Sequence, residues 1–377
     1  MKILFICGSM EPGCDGVGDY LRRLSSELMR TGNEVAVIAI KDRHIQHYFD
    51  GSQSVEMFNL KVLRLPFSRP LGLHEERVSK WIDRFSPDFL SLQFVPFSFH
   101  RKGLLFGLNG YLKKISKGYR WHIMFHELWV GMATDSSLKL KVWGFIQKQM
   151  IRSLMRELKP EVVHTNTTLY QQQLKLQGVR AIHLPLFSNI SFAKDSKIKK
   201  EDNTLSHSKS VFIVHFGLIH PGALITHFAR ETMDYGREKK INFILRIIGR
   251  GGSEQINWEK ICANEGLETE ILGEQSFETI SEILSSAALG ITTNPLELVE
   301  KSGSVAAMIE HGLPVLSVSK SWQAPKKIAT KNPGGVLPFN LTNLQLSLEN
   351  RNQVALKINT AKSVAEQFVH DLKSALN

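Results

Sequence analysis

Residues 2–40 read KILFICGSMEPGCDGVGDYLRRLSSELMRTGNEVAVIAI, and this stretch alone indicates the fold. Residues 2–7 form a short apolar run that is typical of a buried parallel strand. A glycine-rich loop follows, and apolar residues then recur at helical spacing from Val17 to Leu28. A second apolar run at residues 34–40 completes a strand, glycine loop, helix and strand, which together make one βαβ unit.

The same alternation occurs on both sides of a polar, charged stretch at residues 193–209, which predicts an interdomain linker. A chain of 377 residues also suits two domains. We therefore predict an α/β protein with an N-terminal Rossmann-like domain at 1–192 and a second one at 210–352. A helix at 353–377 is predicted to pack back toward the first domain. Further strands are predicted at residues 62–65, 90–94, 121–125, 162–165, 181–184, 211–216, 243–248, 269–272, 289–293 and 315–318.

Ligands of parallel sheets bind beyond the carboxyl ends of the strands, so the loops that follow each strand are the first candidates for a site. In the first loop, Gly16 and Gly18 stand at the start of a helix, where bare backbone and unpaired amides favour an anionic or polar ligand. The spacing lacks a full GxGxxG pattern, so glycines that serve only the turn remain an alternative. Asp19 suits the positive end of this helix.

The stretch TTNPLELVEKSGSVAAMIEHGLPV, residues 292–315, carries the strongest candidate site. A strand ends near Thr293, and a helix is predicted to begin near Ser304. The amides of Gly303 and Ser304, with the ammonium of Lys301, would hold a diphosphate, and Glu300 would accept hydrogen bonds from sugar hydroxyls. Ordinary helix capping beside an exposed Glu–Lys pair is the competing interpretation.

These segments resemble the retaining GT-B glycosyltransferases of family 4. The opening CDGVGDYLRRLSSELMRTGNEVAVIA looks like that family's GGVGxYxxxLAxxLxxxGHEVxVxT, and EKSGSVAAMIEHGLPV looks like its donor-site signature. Gly217 in VHFGLI and Gly249 in LRIIGRGG fall where the family has glycines of the cleft. Gly273 and Glu274 in LGEQSF resemble the loop that contacts the base.

The resemblance implies two Rossmann-like domains that face a central cleft. It also implies transfer of a hexose, with retention, from a nucleotide diphosphate sugar, with UDP favoured over GDP. The acceptor would be a saccharide or a lipid-linked saccharide in polysaccharide or glycolipid synthesis. No metal or other cofactor is implied, because helix amides and basic side chains would stabilise the leaving diphosphate. Lys301, Ser302, Gly303 and Ser304 are the candidates for this role.

The chain departs from the family at the second glutamate of the signature, eight positions after Glu300. Met308 occupies that position, or Ala307 if a gap of one residue is allowed, and Glu310 lies too far along. The resemblance implies that this glutamate contacts the ribose of the donor. Because the glutamate is missing here, the chain could instead be a scaffold or binding protein that has lost transfer activity, and this alternative stays open.

A second departure is the loop at residues 217–222, which lacks the Arg and Lys pair often found in the family. His220 or Arg250 is the candidate replacement. A GT-B sugar-nucleotide epimerase and a dinucleotide oxidoreductase are less favoured alternatives. The oxidoreductase is disfavoured because the first loop lacks the full glycine fingerprint.

Polar residues at the predicted strand ends of the first domain are the remaining candidates. His126 follows the run at 121–125, and related enzymes have a histidine there near the transferring sugar. We predict that His126 and Glu300 are the catalytic residues. Gln93, Phe94 and Asn166 end two other runs and are predicted to line the acceptor side, although each would equally serve a turn or the core.

The net charge of +11 is concentrated between residues 101 and 159, which favours an anionic partner or a merely solvated basic face. Nucleic acid is not expected, because no zinc-finger, RNA-recognition or helix-turn-helix pattern occurs.

Residues 138–158 mix apolar and basic side chains, as do helices that lie on membrane surfaces, and packing on the protein's own sheet is the alternative. The three scattered cysteines and the poor signal peptide predict a cytoplasmic protein. Peripheral contact at the inner face of the plasma membrane is what the resemblance implies, because many similar transferases act on lipid-linked acceptors there.

Overall fold

The computed structural model describes residues 1–116, 118–190, 210–323, 334–349 and 358–376. The predicted linker at 193–209 and the first residues of the predicted C-terminal helix, 353–357, lie outside the described residues. The chain divides into two compact units. Of the described residues, unit 1 contains 1–185, 323 and 361–376, and unit 2 contains 186–190, 210–322, 334–349 and 358–360.

Unit 1 is built on an eight-stranded sheet in the order β3-β4-β2-β1-β5-β6-β7-β8. All neighbours are parallel except β3 and β4, which form an antiparallel pair at one edge. The strands are β1 (Lys2–Cys7), β2 (Glu34–Asp42), β3 (Phe49–Val55), β4 (Phe58–Pro66), β5 (Phe89–Phe94), β6 (Arg120–Phe125), β7 (Val162–Thr165) and β8 (Ile182–His183). The helices are α1 (Gly16–Arg30), α2 (Glu75–Phe85), α3 (Pro96–Phe99), α4 (Leu108–Ser116), α5 (Leu138–Leu158), α6 (Thr168–Lys175) and α12 (Ala361–Ser374), with a 3-10 turn at Leu71–His74.

Helix α1 shows how the sequence fixes a local element. Asp15 is its N-cap, and the chain turns out of the helix through Gly32 at φ +81°. Its buried side chains, Tyr20, Leu21 and Leu24 among them, recur at helical spacing. Burial of each large apolar side chain contributes roughly 1.5–3 kcal/mol, so packing rather than helix propensity stabilises the element.

Unit 2 has a six-stranded sheet in the order β11-β10-β9-β12-β13-β14, and all of its strand pairs are parallel. Its strands are β9 (Val211–Phe216), β10 (Phe243–Ile248), β11 (Glu268–Gly273), β12 (Leu289–Thr292), β13 (Val315–Ser317) and β14 (Val336–Pro338). Its helices are α7 (Ile225–Lys239), α8 (Gly252–Glu265), α9 (Phe277–Ser286), α10 (Gly303–Glu310) and α11 (Leu341–Glu349), with a 3-10 helix at Leu296–Lys301. The predicted α/β fold with two Rossmann-like parallel sheets is therefore confirmed.

Each sheet has a topological switch point, where two neighbouring strands are followed by connections that run toward opposite edges of the sheet. In unit 1 this point lies between β1 and β5, and in unit 2 it lies between β9 and β12. The loops on either side of such a point diverge and leave a crevice at the carboxyl ends of the strands, where ligands of this fold class bind. The candidate residues of both units lie at the ends of these strands or of strands one or two positions away from them.

The structure differs from the sequence prediction at several elements. Strands β3 and β14 were not predicted. The C-terminal helix was predicted from residue 353, but residues 358–360 are not helical and α12 begins at Ala361. Residues 186–190, assigned from the sequence to the N-terminal domain, belong to unit 2, because Ile190 packs into that unit's core. Within the described part of the chain, every helix is too short or too polar to span a bilayer.

Candidate active site

Three neighbouring strands of unit 2 end on glycines with positive φ. Gly217 follows β9 at φ +105°, Gly249 follows β10 at φ +103°, and Gly273 ends β11 at φ +65°. A β-carbon on Gly249 would lie 3.4 Å from the Cα of Gly217, and one on Gly217 would lie 3.2 Å from the Oγ of Ser304. The strand ends are therefore bare backbone packed close to the start of α10, as a site for a phosphate-bearing ligand requires.

Ser302 caps helix α10 in the way that the competing interpretation expects. Its Oγ accepts a hydrogen bond from the amide of Val305 at 3.4 Å and from Nδ2 of Asn294 at 3.3 Å. It also lies 3.1 Å from the Oγ of Ser304. The first amides of the helix, those of Gly303 and Ser304, have no acceptor in the helix itself, and the helix dipole adds positive potential there. Capping and anion binding are thus compatible at this terminus.

His220 is held at the end of β12 by Thr293. Both the backbone amide and Nδ1 of His220 approach the Oγ of Thr293, at 3.0 and 2.8 Å. Desolvation and then the charge of Lys301 lower the pKa of His220, so His220 is neutral near pH 7. The cation of this group is therefore Lys301, and His220 is a polar, uncharged neighbour.

Glu300 lies half-buried in the 3-10 helix Leu296–Lys301, one residue before Lys301. Arg250 and Glu274 face each other across the ends of β10 and β11, with Nε of Arg250 2.6 Å from Oε1 of Glu274. Both side chains are exposed, so this pair adds little to stability and is available to reorganise around a ligand.

The positions that replace the family's second glutamate both lie in the core of unit 2. Met308 and Ala307 are fully buried in its apolar cluster. A β-carbon on Gly290 would lie 2.5 Å from the Sδ of Met308, so Met308 fills the space above that glycine. Neither side chain is placed to meet a polar ligand.

In unit 1, the Asp15 carboxylate uses the amides that would otherwise meet an anion. Its Oδ1 accepts from the amides of Val17 and Gly18, at 3.0 and 2.9 Å. A β-carbon on Gly18 would lie 3.0 Å from the Ser9 carbonyl oxygen, whereas one on Gly16 would have open space. Gly18 is therefore required by the turn, and Gly16 is the glycine that leaves room for a ligand.

His126 is buried at the end of β6 and is tied to β5. Its Nε2 lies 2.9 Å from Oε1 of Gln93, and its ring meets that of Tyr20 edge-on at 5.0 Å. Burial lowers the pKa of His126 to about 3, so the imidazole is neutral at physiological pH. The structure thus joins two predicted residues, His126 and Gln93.

Phe94 and Asn166 fall into different environments. The Phe94 side chain is fully buried against Phe99 and Phe125, so only its carbonyl oxygen, which accepts from the amides of His126 and Glu127, belongs to the strand end. Among the described residues, Oδ1 of Asn166 is buried and accepts no hydrogen bond. A buried acceptor without a donor at a strand end is the kind of group that a ligand completes.

A set of polar residues inside the strands of unit 1 was not predicted from the sequence. Ser91, His122 and His164 are fully buried and connect to one another and to Gln93. Their signal was present in the sequence: Ser91 and Gln93 alternate in an otherwise apolar strand, so they share one face of the sheet.

No protein-family model matches the chain, and no curated protein matches its sequence. Solved structures share its fold. They include Anabaena Alr3699/HepE in complex with UDP and glucose, at 15% identity and TM-score 0.57, over 100% of this chain and 98% of that one. The catalytic domain of Arabidopsis thaliana starch synthase IV, bound to ADP and acarbose, matches at 13% identity and TM-score 0.60, over 100% and 99%. UDP-GlcNAc 2-epimerase from Neisseria meningitidis, bound to UDP-GlcNAc, matches at 12% identity and TM-score 0.57, over 99% and 100%.

These likenesses extend over the whole of each chain and show the fold. The predicted resemblance to GT-B glycosyltransferases is confirmed at that level. Because an epimerase shares the fold, the reaction has to be argued from the residues of the site.

Proposed function

We propose that the protein is a glycosyltransferase that takes a hexose from a nucleotide diphosphate sugar, with UDP favoured as the nucleotide. The observation that carries the proposal is the convergence of Gly217, Gly249 and the first turn of α10 beside Lys301. Bare backbone, unpaired helical amides and one ammonium group form a site for a diphosphate without a bound metal ion.

The same groups would assist the departure of the nucleotide diphosphate. Negative charge develops on the leaving oxygen during transfer, and preorganised amides with Lys301 would stabilise that charge. Glu300 would accept hydrogen bonds from hydroxyls of the donor sugar. His126, at the end of β6, would accept a hydrogen bond from a hydroxyl of the donor sugar or of the acceptor. Retention of configuration and a saccharide or lipid-linked acceptor are further parts of the proposal, drawn from the resemblance of residues 14–39 and 300–315.

A calorimetric titration with a panel of UDP- and GDP-sugars tests the donor site. We expect binding of one UDP-sugar, weakened by Glu300→Ala roughly tenfold or more, because a hydrogen bond to a charged group contributes about 1.5–3 kcal/mol. Glu297→Ala is the matched control, since Glu297 is in the same 3-10 helix and also half-buried. Equal weakening by both variants would contradict the role of Glu300.

Turnover has to be measured separately from binding. Product should form with the selected donor in the presence of EDTA, and the anomeric configuration of the new bond is read by NMR. Donor binding without any transfer would favour the second candidate, a nucleotide-sugar-binding or scaffold protein. The burial of Met308 and Ala307 where the family has a glutamate is the observation behind that candidate.

We also propose contact with an anionic membrane surface through the first half of α5. Leu138, Val142 and Phe145 recur at helical spacing and are 77, 53 and 62% exposed. Lys139, Lys141 and Lys148 belong to the same helix. Exposed apolar side chains flanked by lysines are typical of helices at lipid interfaces.

Cosedimentation with vesicles tests this contact. We expect binding to vesicles that contain phosphatidylserine at low salt, less binding to neutral vesicles, and a clear loss in Phe145→Ser. Ile256→Ser is the control, because Ile256 is similarly exposed but belongs to unit 2. Equal binding of wild type and Phe145→Ser would contradict the contact.

A further inference from the structure

A continuous chain of side-chain hydrogen bonds crosses the sheet of unit 1. His126 contacts Gln93 at 2.9 Å, and Gln93 contacts the Oγ of Ser91 at 2.8 Å. Ser91 contacts Nδ1 of His122 at 2.7 Å, and Nε2 of His122 contacts Nδ1 of His164 at 3.0 Å. The last link joins Nε2 of His164 to Oδ2 of Asp371 on α12, again at 3.0 Å. We call these six residues the polar relay.

Strand register places the relay on one face of the sheet. Ser91 and Gln93 are two positions apart on β5, and Ser91 pairs with His122 on the neighbouring β6. His164 on β7 pairs with Met124, which is two positions after His122. Phe368, one turn before Asp371 on α12, meets the ring of His122 edge-on at 5.0 Å and covers it. The five members on the strands and at the end of β6 are all buried.

The donor in each link follows from two groups, the Asp371 carboxylate at one end and the Gln93 amide, whose Nε2 donates to the Oγ of Ser91. The hydrogen bond from His164 lowers the pKa of Asp371, so this carboxylate is ionised and only accepts. His164 Nε2 therefore carries a proton. Its Nδ1 accepts from Nε2–H of His122, because the Gln93 amide donates to Ser91, the Ser91 hydroxyl then donates to Nδ1 of His122, and the His122 proton is left on Nε2. Burial lowers the pKa of His122 well below its usual value, so His122 is neutral and its Nδ1 accepts from the Ser91 hydroxyl.

The same direction continues to His126. Since the Ser91 proton is used, its oxygen accepts from the Nε2 amide group of Gln93. The Gln93 carbonyl oxygen then faces His126 and accepts from Nε2–H of that ring. A single donor-to-acceptor direction thus satisfies all five hydrogen bonds. The tautomer of each histidine is assigned from this direction.

We propose that Asp371 is a positioning residue which, through the polar relay, fixes His126 as the Nε2–H tautomer and leaves its Nδ1 as a hydrogen-bond acceptor. The ligand of Nδ1 is a hydroxyl-bearing sugar, and this part rests on the proposed transferase function. The assignment of the tautomer does not.

Nitrogen NMR of protein labelled at histidine with ¹⁵N tests the tautomer directly. His126→Gln identifies the His126 signals by their loss. In wild type we expect a protonated Nε2 and an unprotonated Nδ1. Asp371→Asn replaces a carboxylate that only accepts with an amide that can accept or donate, and Ser91→Ala removes the middle link. Both variants should therefore move the two signals toward the average of the two tautomers. Glu366→Gln, which removes an exposed carboxylate from the same helix, should leave them unchanged.

Two further readouts separate positioning from folding. Asp371→Asn should lower kcat roughly three- to tenfold, the size of one net hydrogen bond, while the donor dissociation constant stays within twofold because the relay lies in unit 1. Addition of UDP-glucose with glucose should shift the Nδ1 signal of wild type.

A protonated Nδ1 on His126 in wild type, or signals that stay unchanged in both Asp371→Asn and Ser91→Ala, would overturn the proposal. Absence of turnover with every donor would count against the transferase function and would leave the tautomer result standing.

Discussion

A β-carbon on Gly217 would stand 3.2 Å from the Oγ of Ser304, although the two residues are far apart in the sequence. This approach brings the end of β9 against the first turn of α10. Gly217 also has φ +105°, a conformation that side chains rarely adopt. The position is therefore restricted to glycine for two independent reasons, and both concern the candidate donor site.

Gly217→Ala should weaken donor binding about tenfold, because the added methyl group separates the strand end from α10. Strain at positive φ would also lower the free energy of unfolding by roughly 1–2 kcal/mol. Gly266→Ala is the control: Gly266 has φ +82° in the same unit, and a β-carbon there meets only the end of Met233 at 4.0 Å. Calorimetry with the donor should distinguish the two variants, and equal affinities would show that the approach of β9 to α10 does not shape the site.

Lys301→Gln should weaken binding of UDP roughly ten- to a hundredfold, because the ammonium group would make charge-assisted contacts with the diphosphate. The affinity of the variant should also depend less on ionic strength than that of wild type, since one charge pair is lost. Lys260→Gln removes an exposed lysine from α8 and serves as the control. If the affinity for UDP changed by the same factor between two salt concentrations in wild type and in Lys301→Gln, Lys301 would not contact the phosphates.

Buried histidines should make the protein less stable in mild acid. Burial lowers the pKa values of His126 and His215 to about 3, whereas an unfolded histidine titrates near 6.5. Between these values the unfolded state binds more protons than the native state, so the free energy of unfolding falls as the pH falls. Each histidine would remove about 2 kcal/mol between pH 7 and pH 5.

Urea denaturation of wild type and His126→Gln at pH 7 and pH 5 measures this effect. The variant lacks one of these buried histidines, so its loss of stability over that interval should be smaller by about 2 kcal/mol. An equal loss in both proteins would mean that His126 titrates normally in the folded chain.

The sequence predicted most of the parallel strands because their apolar runs are continuous, as in strands buried on both faces. Strands β9 and β10 were predicted with the bounds that the structure shows. Strand β3 was missed because its residues, FDGSQSV, are polar and largely exposed at a sheet edge, so hydrophobic periodicity leaves no trace. Its register depends on pairing with β4, which is a tertiary contact.

The candidate site also contains one part that the sequence predicted and one part that it did not. The loop from Glu300 to Ser304 was found because its residues are adjacent in sequence. The polar relay was not found, because its members come from three strands and a helix, and the bond between His164 and Asp371 joins positions 207 residues apart. In the sequence, a lone histidine within an apolar run looks like an ordinary core residue. Only the fold shows that its neighbours in space extend the hydrogen-bonded network.

The burial of Met308 gives a prediction about the missing glutamate. Met308→Glu restores the family's residue type, yet the carboxylate would enter an apolar core beside Gly290. We expect the free energy of unfolding to fall by several kcal/mol, because a buried charge without a partner is costly, and we expect no tighter donor binding. Met308→Leu keeps the volume and should cost less than about 1.5 kcal/mol. Thermal unfolding and donor titration of both variants check this. A Met308→Glu protein as stable as wild type that binds its donor more tightly would show that this side chain reaches the ligand, and the departure from the family at position 308 would then weaken the donor site directly.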